Sequence, residues 1–209
     1  MVLATVDRAR TVRDSIALAK RLVVKVGSSA LTTSSGGVDI ARVDMLIDAI
    51  AARRAAGTEI VLATSGAIAA GLAPLDMRTQ PADPAGRRAA ASVGQAQLMH
   101  SYVNSFGRHG IRTAQLLLTS EDLFPDRRFG TIDAVLDHLL ESDVVPVINE
   151  NDVSSLQGGR FDNNDMLAAL LARQVDATAL VLLSDVAGLY ETDPLLRQAR
   201  LLIDVDPDT

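Results

Sequence analysis

The chain has 209 residues, 48% of them hydrophobic, which is enough apolar material for one well-filled α/β domain. A formal net charge of -6, with no run of basic residues interleaved with aromatics, gives no general attraction to phosphate backbones or anionic lipid, so no nucleic acid and no membrane partner is expected. The lack of cysteine excludes disulfides, thiolate nucleophiles and cysteine-ligated zinc; with no membrane-length apolar stretch and no signal-peptide core, the expected compartment is cytoplasmic.

In chain order, residues 1–20 read as an extension and 21–209 as one domain. Five apolar, β-branched runs follow one another: Leu22 to Val26, Glu59 to Thr64, Ile111 to Leu118, Val144 to Ile148 and Ala179 to Leu183. Between them, Val43, Ile47, Ile50 and Arg54 recur at helical spacing until Gly57, and Ile132, Leu136, Leu139 and Leu140 do the same farther on. Continuous apolar strands alternating with crossover helices predict a three-layer αβα sandwich with a largely parallel central sheet. The turn-rich stretches Pro74 to Pro84 and Ser154 to Arg160 read as surface loops or lids. His100, His109 and His138 have no second ligand at a metal-site spacing, so they are assigned structural or surface roles and no metal residue is expected.

Ligands of open α/β sheets bind outside the carboxyl ends of the strands, and four of the five runs end in polar residues. The first gives Lys25-Val26-Gly27-Ser28-Ser29, which offers a fixed positive charge beside backbone N–H groups, or else a strand-edge lysine and an ordinary turn. It has neither Walker spacing nor Gly-x-Gly-x-x-Gly. The second gives Ser65-Gly66 before a short helix, Ala67 to Ala70, where the serine either caps the helix or holds an anion. The fourth gives Asn149-Glu150-Asn151-Asp152, four polar groups that can read an ammonium and a carboxylate together. Asp162 to Asp165 precedes the apolar helix Met166 to Leu171, so a residue there either caps that helix or contributes to the site. Ser184-Asp185, followed by Gly188-Leu189-Tyr190, is a candidate nucleotide-side edge.

Taken in order, Val23 to Ser28, Thr64 to Gly71, Ala91-Ser92-Val93-Gly94-Gln95, Val145 to Asp152 and Leu182 to Asp185 resemble the glutamate 5-kinase branch of the amino-acid kinase family, from Arg21 to about Asp206. The resemblance implies ATP with Mg2+ and L-glutamate as ligands, L-glutamyl 5-phosphate as product at the first step of proline biosynthesis, and a homo-oligomer. It assigns Lys25 and Asp165 to catalysis. Ser65, Gly66, Asn149, Asp152 and Asn164 are assigned to glutamate, and Lys25, Gly27, Ser28, Ser184 and Asp185 to the nucleotide.

The family continues into a Gly-Thr-Gly-Gly-Met segment and a second phosphate-binding lysine, so the domain is expected to be incomplete at its C-terminal end. Three further departures are Asn163 where the family has aspartate, Gly158-Gly159 for Glu-Ile, and Thr131-Ile132-Asp133 for Asn-x-Arg. They leave open a related kinase with a different acidic substrate, or a degenerate subunit that only binds ligand.

Overall fold

The computed structural model describes residues 16–33, 35–123, 129–154, 164–196, 199–203 and 205. Five strands, β1 (Arg21–Val26), β2 (Glu59–Ala63), β3 (Arg112–Leu118), β4 (Val144–Glu150) and β5 (Ala179–Leu183), form one sheet in the order β3-β4-β2-β1-β5. Every pairing is parallel, and Lys25 lies level with Ala63 of β2 and Leu182 of β5, while Ala63 is level with Ile148 of β4. Strand β5 has the expected bounds. Strand β4 runs two residues farther than expected, so Asn149 and Glu150 end the strand instead of following it, and Thr64 lies just outside β2.

Helix α1 (Ile40–Ala55) starts where the Asp39 side chain accepts the Arg42 N–H, and it stops before Gly57, whose φ of +89° suits glycine. Helix α2 (Ala67–Leu72) is short. Helix α3 (Pro84–Gly107) opens with proline at its first position behind an Asp83 cap that accepts the Gly86 N–H. Helices α4 (Phe129–Glu141) and α5 (Asn164–Gln174) follow farther along the chain.

Strand alternation divides the core into two faces. Leu22, Val24, Ile60, Leu62, Val145 and Val147 pack with Val43 and Ile47 of α1 and Leu98, Tyr102 and Phe106 of α3. On the opposite face, Val23, Val61, Ala63 and Ile148 pack with Leu136 of α4 and Leu167 and Leu171 of α5. The sandwich therefore has three layers, as expected. The chain steps outward from β1 to β2 to β3 with its helices on the first face, then returns through β4 to β5 with helices on the second. Reversing direction while keeping right-handed crossovers requires that change of face.

Two features lie beyond the sequence reading: the 24-residue α3 and a small antiparallel pair, β6 (Leu189–Tyr190) with β7 (Leu201–Leu202). Helix α3 crosses α2 at very close range. A Cβ added to Gly94 would fall onto the Ala67 carbonyl oxygen, and one added to Gly71 onto that of Ala90. Replacing Gly94 by alanine forces the helices apart and is expected to destabilise the fold by about 1–3 kcal/mol. The melting temperature should then fall by roughly 2–4 °C per kcal/mol, as read by calorimetry.

Candidate active site

The parallel register collects the polar residues of β1, β2 and β4 along the carboxyl edge of the sheet. Lys25 shares strand parity with Val23, so its side chain points to the face covered by α5. It is 9% exposed. Burying an ammonium group requires a counter-charge, and Asp165 in the first turn of α5 supplies one, with Oδ1 2.6 Å from Nζ. A carboxylate in that turn also suits the helix dipole.

Next to Asp165, the Asn164 side-chain amide joins three segments. Its Nδ2 donates toward the Thr64 carbonyl (2.7 Å), Asn149 Oδ1 (2.8 Å) and Ser65 Oγ (2.9 Å), so two hydrogens serve three acceptors. Ser65 keeps its own hydroxyl hydrogen as a donor. Of the two roles open to Ser65, the helix-cap role is not the one adopted: Gly66 takes the cap position of α2 at φ +94°, and no side-chain cap bond forms. That left-handed backbone also brings Gly66 against Ser28, 3.3 Å from its Cα to where a Cβ would stand, so the loops after β1 and β2 touch.

Asn149 is buried at 2% exposure. Its Oδ1 accepts from the Glu150 N–H (2.9 Å) as well as from Asn164, and its Nδ2 donates to Gln95 Oε1 of α3 at 2.8 Å. Thr64, fully buried, shares a 2.8 Å hydroxyl bond with Tyr102 of α3. Burial drives the Tyr102 phenol well above its ordinary range, so it stays protonated. In the sequence Gln95 stands out only as part of a motif, and Tyr102 carries no signal. Both look like ordinary helix residues until α3 is docked.

The Gly27 N–H continues the β1–β5 ladder to the Leu183 carbonyl (3.1 Å) and the Ala30 N–H donates to the Gly27 carbonyl (3.2 Å), so the N–H groups left for an anion in this turn are those of Ser28 and Ser29. Ser184 and Asp185 follow β5 on the exposed surface, bonded to each other at 3.2 Å. Asp152 stands two residues past β4, partly buried, and no hydrogen bond among the described residues joins it to the Asn164 cluster. Burial, and secondarily the charge of Glu150, pushes its carboxyl up to about 6. Asn163 and Gly158-Gly159 lie outside the described residues; Thr131 is exposed on α4, and Asp133 Oδ1 is buried there without a hydrogen bond among them. His109 bonds Asp48 and His100 bonds Asn104. A cavity of about 140 Å³ opens at the opposite, amino edge, lined by Arg54, Thr58, Glu59 and Asp143, far along the strands from Lys25.

A parallel sheet between two helix layers, with a buried lysine paired to a half-exposed aspartate and an amide-rich cluster at the strand carboxyl ends, defines an α/β protein whose polar groups collect at the edge where such sheets bind ligands. The chain belongs to the amino acid kinase family, which it matches over residues 20–209. It is 49% identical over 197 residues to a glutamate 5-kinase of Frankia casuarinae, covering 94% of this chain and 53% of that protein. It is also 53% identical over 183 residues to one of Streptomyces avermitilis, covering 87% of this chain and 49% of that protein. The chain thus spans about half the length of the curated relatives it matches. Among solved structures, a Giardia carbamate kinase superposes with a TM-score of 0.58 at 15% identity, over 88% of this chain and 78% of that one, a likeness of fold.

Because its folded-state value is raised, Asp152 favours the fold below about pH 4 and loses that contribution as pH rises through about 6. Asp152→Asn, which never ionises, should therefore melt higher than the parent at pH 8. The difference should vanish by pH 4 in paired thermal melts.

Proposed function

We propose that the protein transfers the γ-phosphoryl group of ATP to the side-chain carboxylate of L-glutamate, giving L-glutamyl 5-phosphate at the first step of proline biosynthesis. The observation that carries this reading is the ion pair between buried Lys25 and half-exposed Asp165, placed beside the Ser65–Asn164–Asn149 cluster. The names of the relatives support it.

A carboxylate with an ordinary value near 4.3 is ionised at neutral pH, so no general base is required. One of its oxygens attacks the γ-phosphorus, the bond from phosphorus to the ADP oxygen breaks, and ADP leaves with the electron pair. Lys25 meets the charge that develops on the transferring group, and Asp165 holds the ammonium in place. The first N–H groups of the turn at Ser28, beside Gly27, receive phosphate oxygens. Ser184 and Asp185 hold the nucleotide. Mg2+ carried on ATP neutralises further phosphate charge.

Ser65 with its retained hydrogen, Gly66, Asn149 and Asn164 form the wall for the acidic amino acid. Asp152 pairs with its ammonium, an attraction that needs the ionised carboxylate. The same proposal includes a homo-oligomer working in the cytoplasm. No helix among the described residues is long and apolar enough to cross a membrane.

Assays with ATP, magnesium and a panel of acidic amino acids, trapping the acyl phosphate with hydroxylamine, should give glutamate as the preferred acceptor. Lys25→Ala should cut turnover about 100-fold or more, on the order of 3 kcal/mol, with an unchanged circular dichroism spectrum. Undiminished turnover would place the phosphate site elsewhere. Asp152→Ala should raise KM for glutamate far more than KM for ATP, and the parent's glutamate KM should climb as pH falls below about 6.

A further inference from the structure

We infer that Gln95 is a positioning residue for the acidic-substrate wall: its side-chain carbonyl fixes the amide of Asn149, and Asn149 in turn fixes that of Asn164. This rests on the function proposed above and names a residue of α3 to which neither the family match nor that reading assigns a role.

A terminal carboxamide presents nearly the same shape after a half-turn but exchanges donor for acceptor, so only its partners decide which way it faces. Asn149 Oδ1 must accept from the Glu150 N–H and from Asn164 Nδ2, which turns its Nδ2 toward α3. There Gln95 Oε1 receives it at 2.8 Å. Without that oxygen the Asn149 amide donor would be stranded in a nearly dry site, since Asn149 is 2% and Gln95 9% exposed.

The consequence travels outward along a chain of contacts. Asn164 Nδ2 also serves Ser65 Oγ and the Thr64 carbonyl, and the next residue, Asp165, holds Lys25. Gln95 makes none of these contacts itself, so it acts through Asn149. Its depth is set by the residue before it: Gly94 lets α3 lie directly on α2, and any Cβ at that position would push the helix off its seat. The close crossing of two glycines and the amide relay are thereby one arrangement, in which packing on one face sets hydrogen-bond geometry at the sheet edge.

Two substitutions separate positioning from mere support. Gln95→Met keeps the volume and removes the acceptor, whereas Gln95→Glu keeps an acceptor oxygen. Gln95→Met should raise KM for glutamate about 5- to 100-fold, the effect of stranding a buried donor. KM for ATP and kcat should stay within about twofold, and Gln95→Glu should recover most of the loss. Independently of turnover, the Asn164 side-chain amide signals in 15N–1H spectra, remote from Gln95, should shift and exchange faster with solvent in Gln95→Met than in the parent or Gln95→Glu. If Gln95→Met does not fold, Gln95→Asn, which withdraws the oxygen by one methylene, is read in the same two ways.

A parent protein that phosphorylates no acidic amino acid would defeat the proposed function, while the Asn164 signals would still decide the positioning role. Unchanged Asn164 signals in the acceptor-less variant would overturn that role. So would equal losses in the methionine and glutamate variants, or a parallel rise of both Michaelis constants.

Discussion

A lysine ammonium placed on the core-facing side of a central parallel strand is the constraint around which this sheet edge is arranged. Such a charge is tolerated only with a partner at hydrogen-bond range. Here the partner must come from the helix layer on the same face, which fixes where α5 begins, because Asp165 has to stand 2.6 Å from Lys25 Nζ. Asn164 then secures that helix start to β2 and β4 with one amide group. The polar cluster is thus a consequence of burying Lys25, with its ion pair to Asp165 standing at the solvent margin of the sheet edge.

The two edges of the sheet are finished differently. At the amino edge, arginines are held by acids and carbonyls: Arg21 pairs with Glu59 at 2.7 Å and Arg54 with Asp143, while Arg53 donates to the Ile16 and Ala17 carbonyls. These contacts tie strands, helix ends and the segment before β1 together. At the carboxyl edge the groups are amides, hydroxyls and carboxylates joined to one another by hydrogen bonds and the Lys25–Asp165 pair, and burial holds Asp152 at a raised value. Strongly shifted carboxyls are commoner at functional sites than in structural ion pairs, which sets Asp152 apart from the paired arginines of the other edge.

The strands were legible because β1, β2 and β4 are continuous apolar runs, and so were α1 and α4, whose large apolar residues recur at helical spacing. Helix α3 was not. Its inward positions, Ala90, Ala91, Gly94 and Gln95 before Leu98 and Tyr102, are mostly small or polar, so no stripe of large apolar residues marks the half that the α2 backbone seats, although its alanines favour helix. Residue type left Lys25 and Asp165 open to plain structural readings and only the family resemblance assigned them to catalysis; their contact rests on the strand parity and the helix start together. Ser65 read equally well as a cap, and only the left-handed Gly66 excludes that role. The Asn164 bridge spans 100 positions to Thr64 and 99 to Ser65, beyond the reach of any local pattern.

The central claim is that the carboxyl edge of the sheet, and not the cavity at the amino edge, receives the acidic amino acid. Titrating glutamate into 15N-labelled protein and following the amide signals tests it most directly. The account predicts saturable shifts at Ser65, Gly66, Asn149, Asp152 and Asn164, with residues around Arg54 and Asp143 unmoved. Shifts confined to Arg54, Thr58 and Asp143, or spread evenly without saturation, would contradict it.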